Sequence, residues 1–317
     1  MHSFKAMNTV FWTMHLPQRE QQQVESWVQY VEDKLSRFRA TSELSRLNQS
    51  GGKPFVPSAL LYTVLRMAEA YYRETDGLFS PFLGEEIRRL GYDRTFEELS
   101  PAVGEAQIYS RILQRKQRDI NHPVQFNRMM KSVTLSPGVF LDFGGIAKGW
   151  SVQKISGWLK EDGITRGLIN AGGDIVAWDE DGGSGWEITV ANPMEPERNL
   201  ARFTLSGCAG VATSSTRKRR WTDAAGTTQH HILDPRTGKP TASDLVQVTV
   251  IAPDVTTAEV YAKCLLVLGT KEAKHWLACR QPDLGVIAVE KHGKRFANEA
   301  AYEMGLRWIE EDLQWKI

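Results

Sequence analysis

The chain has 317 residues, with 39 Lys and Arg against 38 Asp and Glu, for a formal charge of +1. A balance this close to neutral gives no overall field for drawing in nucleic acid, so any polyanion site has to be local. With 41% hydrophobic and 24% charged residues, the composition is that of a globular chain able to bury a substantial core, and a single domain over 1–317 without a linker is expected.

Residues 1–16 carry Lys5 and His15 and lack the unbroken apolar run and small-residue cleavage site of a secretory signal, which predicts a cytoplasmic protein. Nowhere do about 18 apolar residues follow one another, so no membrane-spanning helix is expected. Val24, Trp27, Val28, Val31 and Leu35 follow helical spacing, and Leu61, Val64, Leu65, Ala68 and Tyr72 repeat it, which predicts two amphipathic helices. The turn-rich stretches 51–57, 179–185 and 223–228 read as loops.

The segment Leu141-Asp142-Phe143-Gly144-Gly145-Ile146-Ala147-Lys148-Gly149 reads as an apolar strand end joined to a helix that starts near Ala147. Paired glycines let backbone come close to a ligand, and the amides of a helix start suit a pyrophosphate; the plain alternative is a tight turn. The spacing is not GxGxxG, so nothing favours a dinucleotide fold of that kind. Downstream, strand-like runs at 168–170, 174–178, 186–190, 246–251 and 284–289 alternate irregularly with helical segments at 147–159, 257–268 and 271–280. Short strands bounded by Gly and Pro fit antiparallel pairing, so the fold class is read as α+β.

A second Gly pair stands in Asn170-Ala171-Gly172-Gly173-Asp174, and a strand running into a turn is expected at His230-His231-Ile232-Leu233-Asp234-Pro235-Arg236-Thr237-Gly238. Strand alternation there would turn His230 away from the face that His231 occupies. Cys208, Cys264 and Cys279 show no CxxC spacing, which argues against a disulfide framework or a zinc site and predicts buried free thiols. The cations Arg217, Lys218, Arg219 and Arg220 form a local basic patch, either a solvated loop or a contact for adenylate phosphates or an acidic partner, and too small for nucleic acid.

Together, the Asp142 to Gly149, Asn170 to Asp174 and His231 to Gly238 segments closely resemble three hallmark motifs of the ApbE family of FAD:protein FMN transferases. Ser42-Glu43-Leu44-Ser45-Arg46-Leu47-Asn48, Asp76-Gly77-Leu78-Phe79-Ser80-Pro81 and Ala212-Thr213-Ser214 are similar to further family segments. The resemblance implies a T-fold-like arrangement of mixed antiparallel sheets and helices with FAD in a cleft between two lobes. It implies FAD contacts at Met7, Phe38, Leu78, Phe79, Ser80, Asp142, Lys148 and Ile232. The implied chemistry is phosphoryl transfer, in which a Thr or Ser hydroxyl of a target flavoprotein attacks the FMN phosphorus and AMP leaves. His231 matches the histidine at the reaction centre, and an imidazole suits proton removal near neutral pH. The resemblance also implies a magnesium ion, held by a backbone oxygen near Gly145 and by an Asp and a Thr four residues apart on one helix.

Those last two positions read Glu259 and Lys263. An ammonium donates and cannot ligate while charged. Two readings stand: Glu259 and Lys263 form an i,i+4 ion pair on an exposed helix face, or the Lys263 ammonium sits where the metal would and holds the FAD pyrophosphate. The site further departs from the family at Phe38, Ser80, Phe82 and Ser215. The expected activity is therefore FMN transfer, with an FAD-binding homologue lacking transfer, or an FAD pyrophosphatase giving FMN and AMP, as alternatives.

Overall fold

The structure, a computed structural model, describes residues 1–92, 123–222 and 228–309. The chain divides into two compact units, one made of Met1–Val28, Lys148–Arg217 and the chain from Ala242 onward, the other of Gln29–Ala147 and Lys218–Thr241. The loop expected at 223–228 lies outside the described residues except for Thr228, which begins a strand.

The first unit is built on an eight-stranded sheet. Its strands His2–Ala6, Thr9–Met14, Arg166–Ala171, Ile175–Asp179, Gly207–Ser215, Leu245–Ala252, Gly285–Glu290 and Arg295–Ala297 lie side by side in chain order. Every neighbouring pair is antiparallel. The expected runs thus appear, each lengthened or shifted by a residue or two, and the class is α+β. Period-two alternation buries both faces. Ile169, Val176 and Trp178 join Phe11, Val24, Val28, Val152, Ile155 and Leu159 in one apolar cluster, to which the helix Ala147–Glu161 contributes. Leu168, Ile175 and Ala177 point the other way, against Ile188, Val190 and Phe203 of the three-stranded sheet formed by Trp186–Ala191, Asn199–Leu205 and Arg307–Trp308.

The two helical segments expected at 257–268 and 271–280 form one run, Val255–Ala278, kinked at Gly269, whose φ is 74°. Asp254 caps its start, accepting from Thr257 N at 2.9 Å and from the Thr257 hydroxyl at 2.6 Å. This start lies directly on the Gly207–Ser215 strand at Gly210, where a Cβ would stand 2.1 Å from Val255 N and 2.3 Å from the Asp254 carbonyl carbon. Only glycine permits that approach. Of the cysteines, Cys264 is buried as expected, but Cys208 and Cys279 are exposed; Cys208 flanks a glycine at a strand start and Cys279 caps the kinked helix, positions that period alone does not reveal.

In the second unit Ser42 and Ser58 cap the helices Glu43–Asn48 and Ala59–Glu74. The second unit also holds the last part of the helix Gln18–Leu35, a short helix, Gly84–Arg89, and the strand pairs Val124–Asn127 with Ser132–Leu135, Arg220–Thr222 with Thr228–His230, and Leu233–Asp234 with Lys239–Pro240. No strand ends at Leu141; Phe140 makes only an isolated bridge to Leu83. Asn48 instead fixes this stretch, accepting from Leu141 N at 2.8 Å and donating to Leu141 O at 3.0 Å. Among the described residues no helix is long and apolar enough to cross a membrane.

The Gly210 contact is rigid on both sides, so Gly210→Ala is expected to cost about 2 kcal/mol of stability through overpacking. Gly157→Ala, in the helix Ala147–Glu161 where a Cβ meets nothing within 4 Å, should instead gain about 0.5–1 kcal/mol. Urea denaturation of both variants checks the pair, and equal effects would refute the close-approach argument.

Candidate functional site

In the first unit a buried cluster of four charged side chains forms around Glu259. Lys148 Nζ lies 2.5 Å from Glu259 Oε1 and 2.8 Å from Asp174 Oδ2. Lys263 Nζ lies 3.4 Å from the same Glu259 oxygen. The second oxygen, Oε2, accepts from Gly149 N at 2.9 Å. Three elements supply these groups: the start of the helix Ala147–Glu161, the turn before the strand Ile175–Asp179, and the kinked helix Val255–Ala278. Gly149 makes the arrangement possible, because a Cβ there would stand 2.9 Å from Val255 O and 3.0 Å from Glu259 Oε2.

The exposures form two layers. The Glu259 and Asp174 side chains are 1% and 6% exposed, whereas those of Lys148 and Lys263 are 14% and 21% exposed. The i,i+4 pair expected of Glu259 and Lys263 is present, but the face it occupies is buried, not exposed. Burial pushes the Glu259 carboxyl up, but the Lys148 and Lys263 charges and the bonds from Lys148 and Gly149 outweigh it and hold the group below its ordinary value. Asp174 is raised, by burial first and by the Glu259 charge, against the pull of Lys148 and Lys263. Burial depresses Lys263, with the Lys148 charge adding to it, against Glu259 and Asp174.

Met7 also belongs to the first unit. It and Asn8 form the two-residue turn between the strands His2–Ala6 and Thr9–Met14, both at positive φ, 49° and 56°. Hairpin turns of this hand need such angles, which Asn tolerates and Met adopts rarely.

The remaining expected residues lie in the second unit. Asp142 is ion-paired to Arg37 Nε, its Oδ1 accepts from Gly144 N at 2.6 Å, and its own N donates to Pro81 O at 2.8 Å. The Gly144 amide is thus committed to Asp142 rather than open to an anion. The Arg37 guanidinium lies 4.1 Å from the Phe38 ring centre and 4.8 Å from that of Tyr92, and Nη1 donates to Tyr92 O at 2.7 Å. Phe38, Tyr92 and Trp221 follow one another as ring pairs, each 5.5 Å apart. Leu78 is half-buried and Phe79 buried, with Phe79 N donating to the Thr75 hydroxyl at 3.0 Å. Ser80 Oγ accepts from Phe82 N at 3.3 Å. Gly145 is a turn residue.

His231 is not a strand residue. It occupies a bend after the strand Thr228–His230, and Ile232 follows it, buried, before Leu233–Asp234. The alternation argument separating it from His230 therefore fails, although the two differ: His230 Nε2 lies 3.2 Å from Thr241 O, and burial lowers its pKa. Arg236 is spent on Asp234, with Nη2 3.0 Å from Oδ2. In the basic run Arg217, Lys218 and Arg220 are exposed, while Trp221 donates from Nε1 to Leu90 O at 2.8 Å.

The structure brings together Lys148, Glu259 and Lys263, and adds Asp174, Gly149 and Arg37, which the sequence reading did not assign. Asp174 and Gly149 stand inside the motif segments, so their signal was present. Arg37 carries none, since only the folded loop sets it against Asp142.

The donor set does not fit a resident magnesium ion. Both Glu259 oxygens already hold N–H donors, and the position where the resemblance implies a Thr oxygen carries the Lys263 ammonium, which cannot ligate while charged. An ion on Glu259 would stand about 4 Å from an ammonium, a repulsion of about 8 kcal/mol at an effective dielectric of about 20.

Removing the central carboxylate leaves two like charges side by side. Glu259→Ala is expected to cost about 3 kcal/mol, whereas Glu195→Ala, which breaks an exposed pair with Arg198, should cost well under about 1 kcal/mol. Equilibrium denaturation in urea measures both, and a Glu259 variant as stable as the Glu195 variant would refute the central role of this carboxylate.

Residues 7–288 match the sequence model described as the ApbE family. Two similar proteins are an FAD:protein FMN transferase of Vibrio cholerae, 28% identical over 287 residues covering 88% of this chain and 83% of that one, and one of Escherichia coli, 24% identical over 303 residues covering 92% and 84%. The crystal structure of the ApbE protein of Thermotoga maritima superposes with a TM-score of 0.84 at 23% identity, over 96% of this chain and 98% of that one. The flavin transferase ApbE of Vibrio cholerae superposes at 0.76 and 23% identity with the same coverage. These likenesses agree with the α+β fold and with the motif segments, all of which fall inside the matched span: this chain belongs to the ApbE family.

Proposed function

We propose that this chain is an FAD:protein FMN transferase acting on a cytoplasmic flavoprotein with an acceptor Thr or Ser. The observation that supports this reading is the family match over 7–288, which contains every residue assigned to FAD: Met7, Phe38, Leu78, Phe79, Ser80, Asp142, Lys148, Ile232 and Lys263. In the reaction the acceptor oxygen forms a bond to the FMN phosphorus, the bond from that phosphorus to the bridging oxygen breaks, and AMP leaves with the bridging oxygen and the electron pair. His231 takes the hydroxyl proton. Lys148 and Lys263 supply positive charge to the pyrophosphate oxygens, and charge held in place where it develops is the main catalytic need of phosphoryl transfer. Arg37 fixes the Asp142 carboxylate, which orients the dinucleotide.

The test is incubation of the protein with FAD and a candidate acceptor, with AMP followed by chromatography and covalent FMN on the acceptor by mass spectrometry. Covalent FMN together with AMP is the expected result. FMN and AMP without labelled acceptor would identify a pyrophosphatase, and FAD binding without cleavage would identify a carrier. His231→Ala should lower transfer by at least about a hundredfold, within the range of general-base effects, while leaving FAD affinity within a few-fold in a fluorescence titration. An equal loss in His230→Ala would remove the role given to His231.

A further inference from the structure

We propose that this chain holds FAD without a resident divalent cation, the Lys148 and Lys263 ammoniums, both seated on the buried Glu259 carboxylate, taking the ion's place against the pyrophosphate. The inference rests on the reading of the chain as an FAD-dependent protein and specifies how its site meets the charge of that ligand.

The layering of the cluster carries the argument. A site built for a divalent cation presents oxygen ligands to the ion. Here the order is inverted: the side chains of Glu259 and Asp174 lie innermost at 1% and 6% exposure, and those of Lys148 and Lys263 are the more exposed at 14% and 21%. Both oxygens of Glu259 are occupied from within the protein, Oε1 by Lys148 and Lys263 and Oε2 by the Gly149 amide. Asp174 is turned onto Lys148 at 2.8 Å. What such a surface offers a ligand is positive charge, which suits a pyrophosphate and repels a cation.

Charge bookkeeping points the same way. Two acids and two lysines make the cluster neutral, so an anion meets ammoniums already held in place by carboxylates behind them. Without Lys263 the same cluster would carry one net negative charge and would attract a cation. The single side chain at 263 therefore decides the sign of the site. Its i,i+4 relation to Glu259 on the helix Val255–Ala278 fixes the ammonium by the helix geometry itself, and the Gly149 contact fixes Glu259. A resident ion would have to displace two ammoniums from an oxygen they share.

Titration calorimetry with FAD on the chelator-treated protein, with and without magnesium, tests the inference. Electron paramagnetic resonance of manganese provides a readout independent of activity. The wild-type protein is expected to bind FAD with an affinity that changes less than about twofold between chelator and magnesium, and to hold no manganese beyond what free FAD holds. Lys263→Met should weaken FAD binding in chelator by at least about tenfold, the loss expected when a charged group loses its hydrogen bonds. Lys263→Thr combined with Glu259→Asp should gain a bound manganese ion and magnesium-dependent FAD affinity. Wild-type protein that binds FAD only when magnesium is present, or that holds one tightly bound manganese ion, overturns the inference while leaving the FAD reading intact. Absence of FAD binding in both conditions would overturn that reading, and this inference with it. The wild-type measurements decide between these outcomes even if a variant fails to fold.

Discussion

Burying a carboxylate such as Glu259 costs several kcal/mol unless hydrogen bonds and opposite charge offset the lost hydration. The first unit is arranged to supply that offset. Two ammoniums and one amide converge on the group, and they come from the start of one helix and the next turn of the helix that carries the carboxylate. The convergence demands that the two helices approach at Gly149 and that the second helix start sit on the sheet at Gly210, both positions where a Cβ has no room. Helix capping by Asp254 then sets where the run begins, and so which of its faces turns Glu259 and Lys263 inward. Sheet, cap, close approach and charge cluster are in this sense one construction.

Much of that construction is legible from residue order. The strands of the large sheet are short apolar runs with period two, and because both faces are covered, Leu168 and Ile169 enter different cores while both are buried. Helices announce themselves by spacing, and Gly269 marks the joint between two segments that period alone separates. The two failed strands share one cause. At Leu141 an apolar run, and at His231 a stretch ending in Ile232 and Leu233, is followed by a turn, which reads as a strand, but a strand exists only where a partner offers a ladder. Leu141 finds the Asn48 side chain instead, and His231 lies in a bend between two short ladders. The exposed Cys208 and Cys279 are missed for a different reason, since the average preference of a thiol for burial says nothing of a strand start or a helix end.

The candidate site is legible to a different degree. Motif order singles out Lys148 because it sits in a dense, Gly-rich segment, and the segment that holds Asp174 stands out in the same way although the reading gave that residue no role. Spacing also pairs Glu259 with Lys263, since four residues on a helix bring side chains together whatever surrounds them. Spacing is silent on which way that face turns, and the difference between an exposed pair and a buried cluster is the difference between a few tenths of a kcal/mol and several. Arg37 is invisible for a related reason: its bond to Asp142 joins distant parts of the chain, and nothing in the residues beside it foretells the contact.

Set beside the Asp and Thr that the resemblance implies, Glu259 and Lys263 one turn away act together in the cluster. A carboxylate with one more methylene reaches across to Lys148 and Gly149, and the lysine four residues on neutralises what would otherwise be an excess of negative charge. Neither alone yields the same site: Lys263 without a buried acid would be two like charges from Lys148 and itself in a dehydrated pocket, and the acid without Lys263 would attract a cation. An ammonium brings one positive charge where a divalent ion brings two, and it donates hydrogen bonds where the ion accepts oxygen ligands. Under the proposed reading, such a site holds an anionic dinucleotide by charge-assisted bonds but stabilises the departing phosphate less strongly. That reading separates affinity from turnover, and it leaves the rate to the roles proposed for His231 and Asp142.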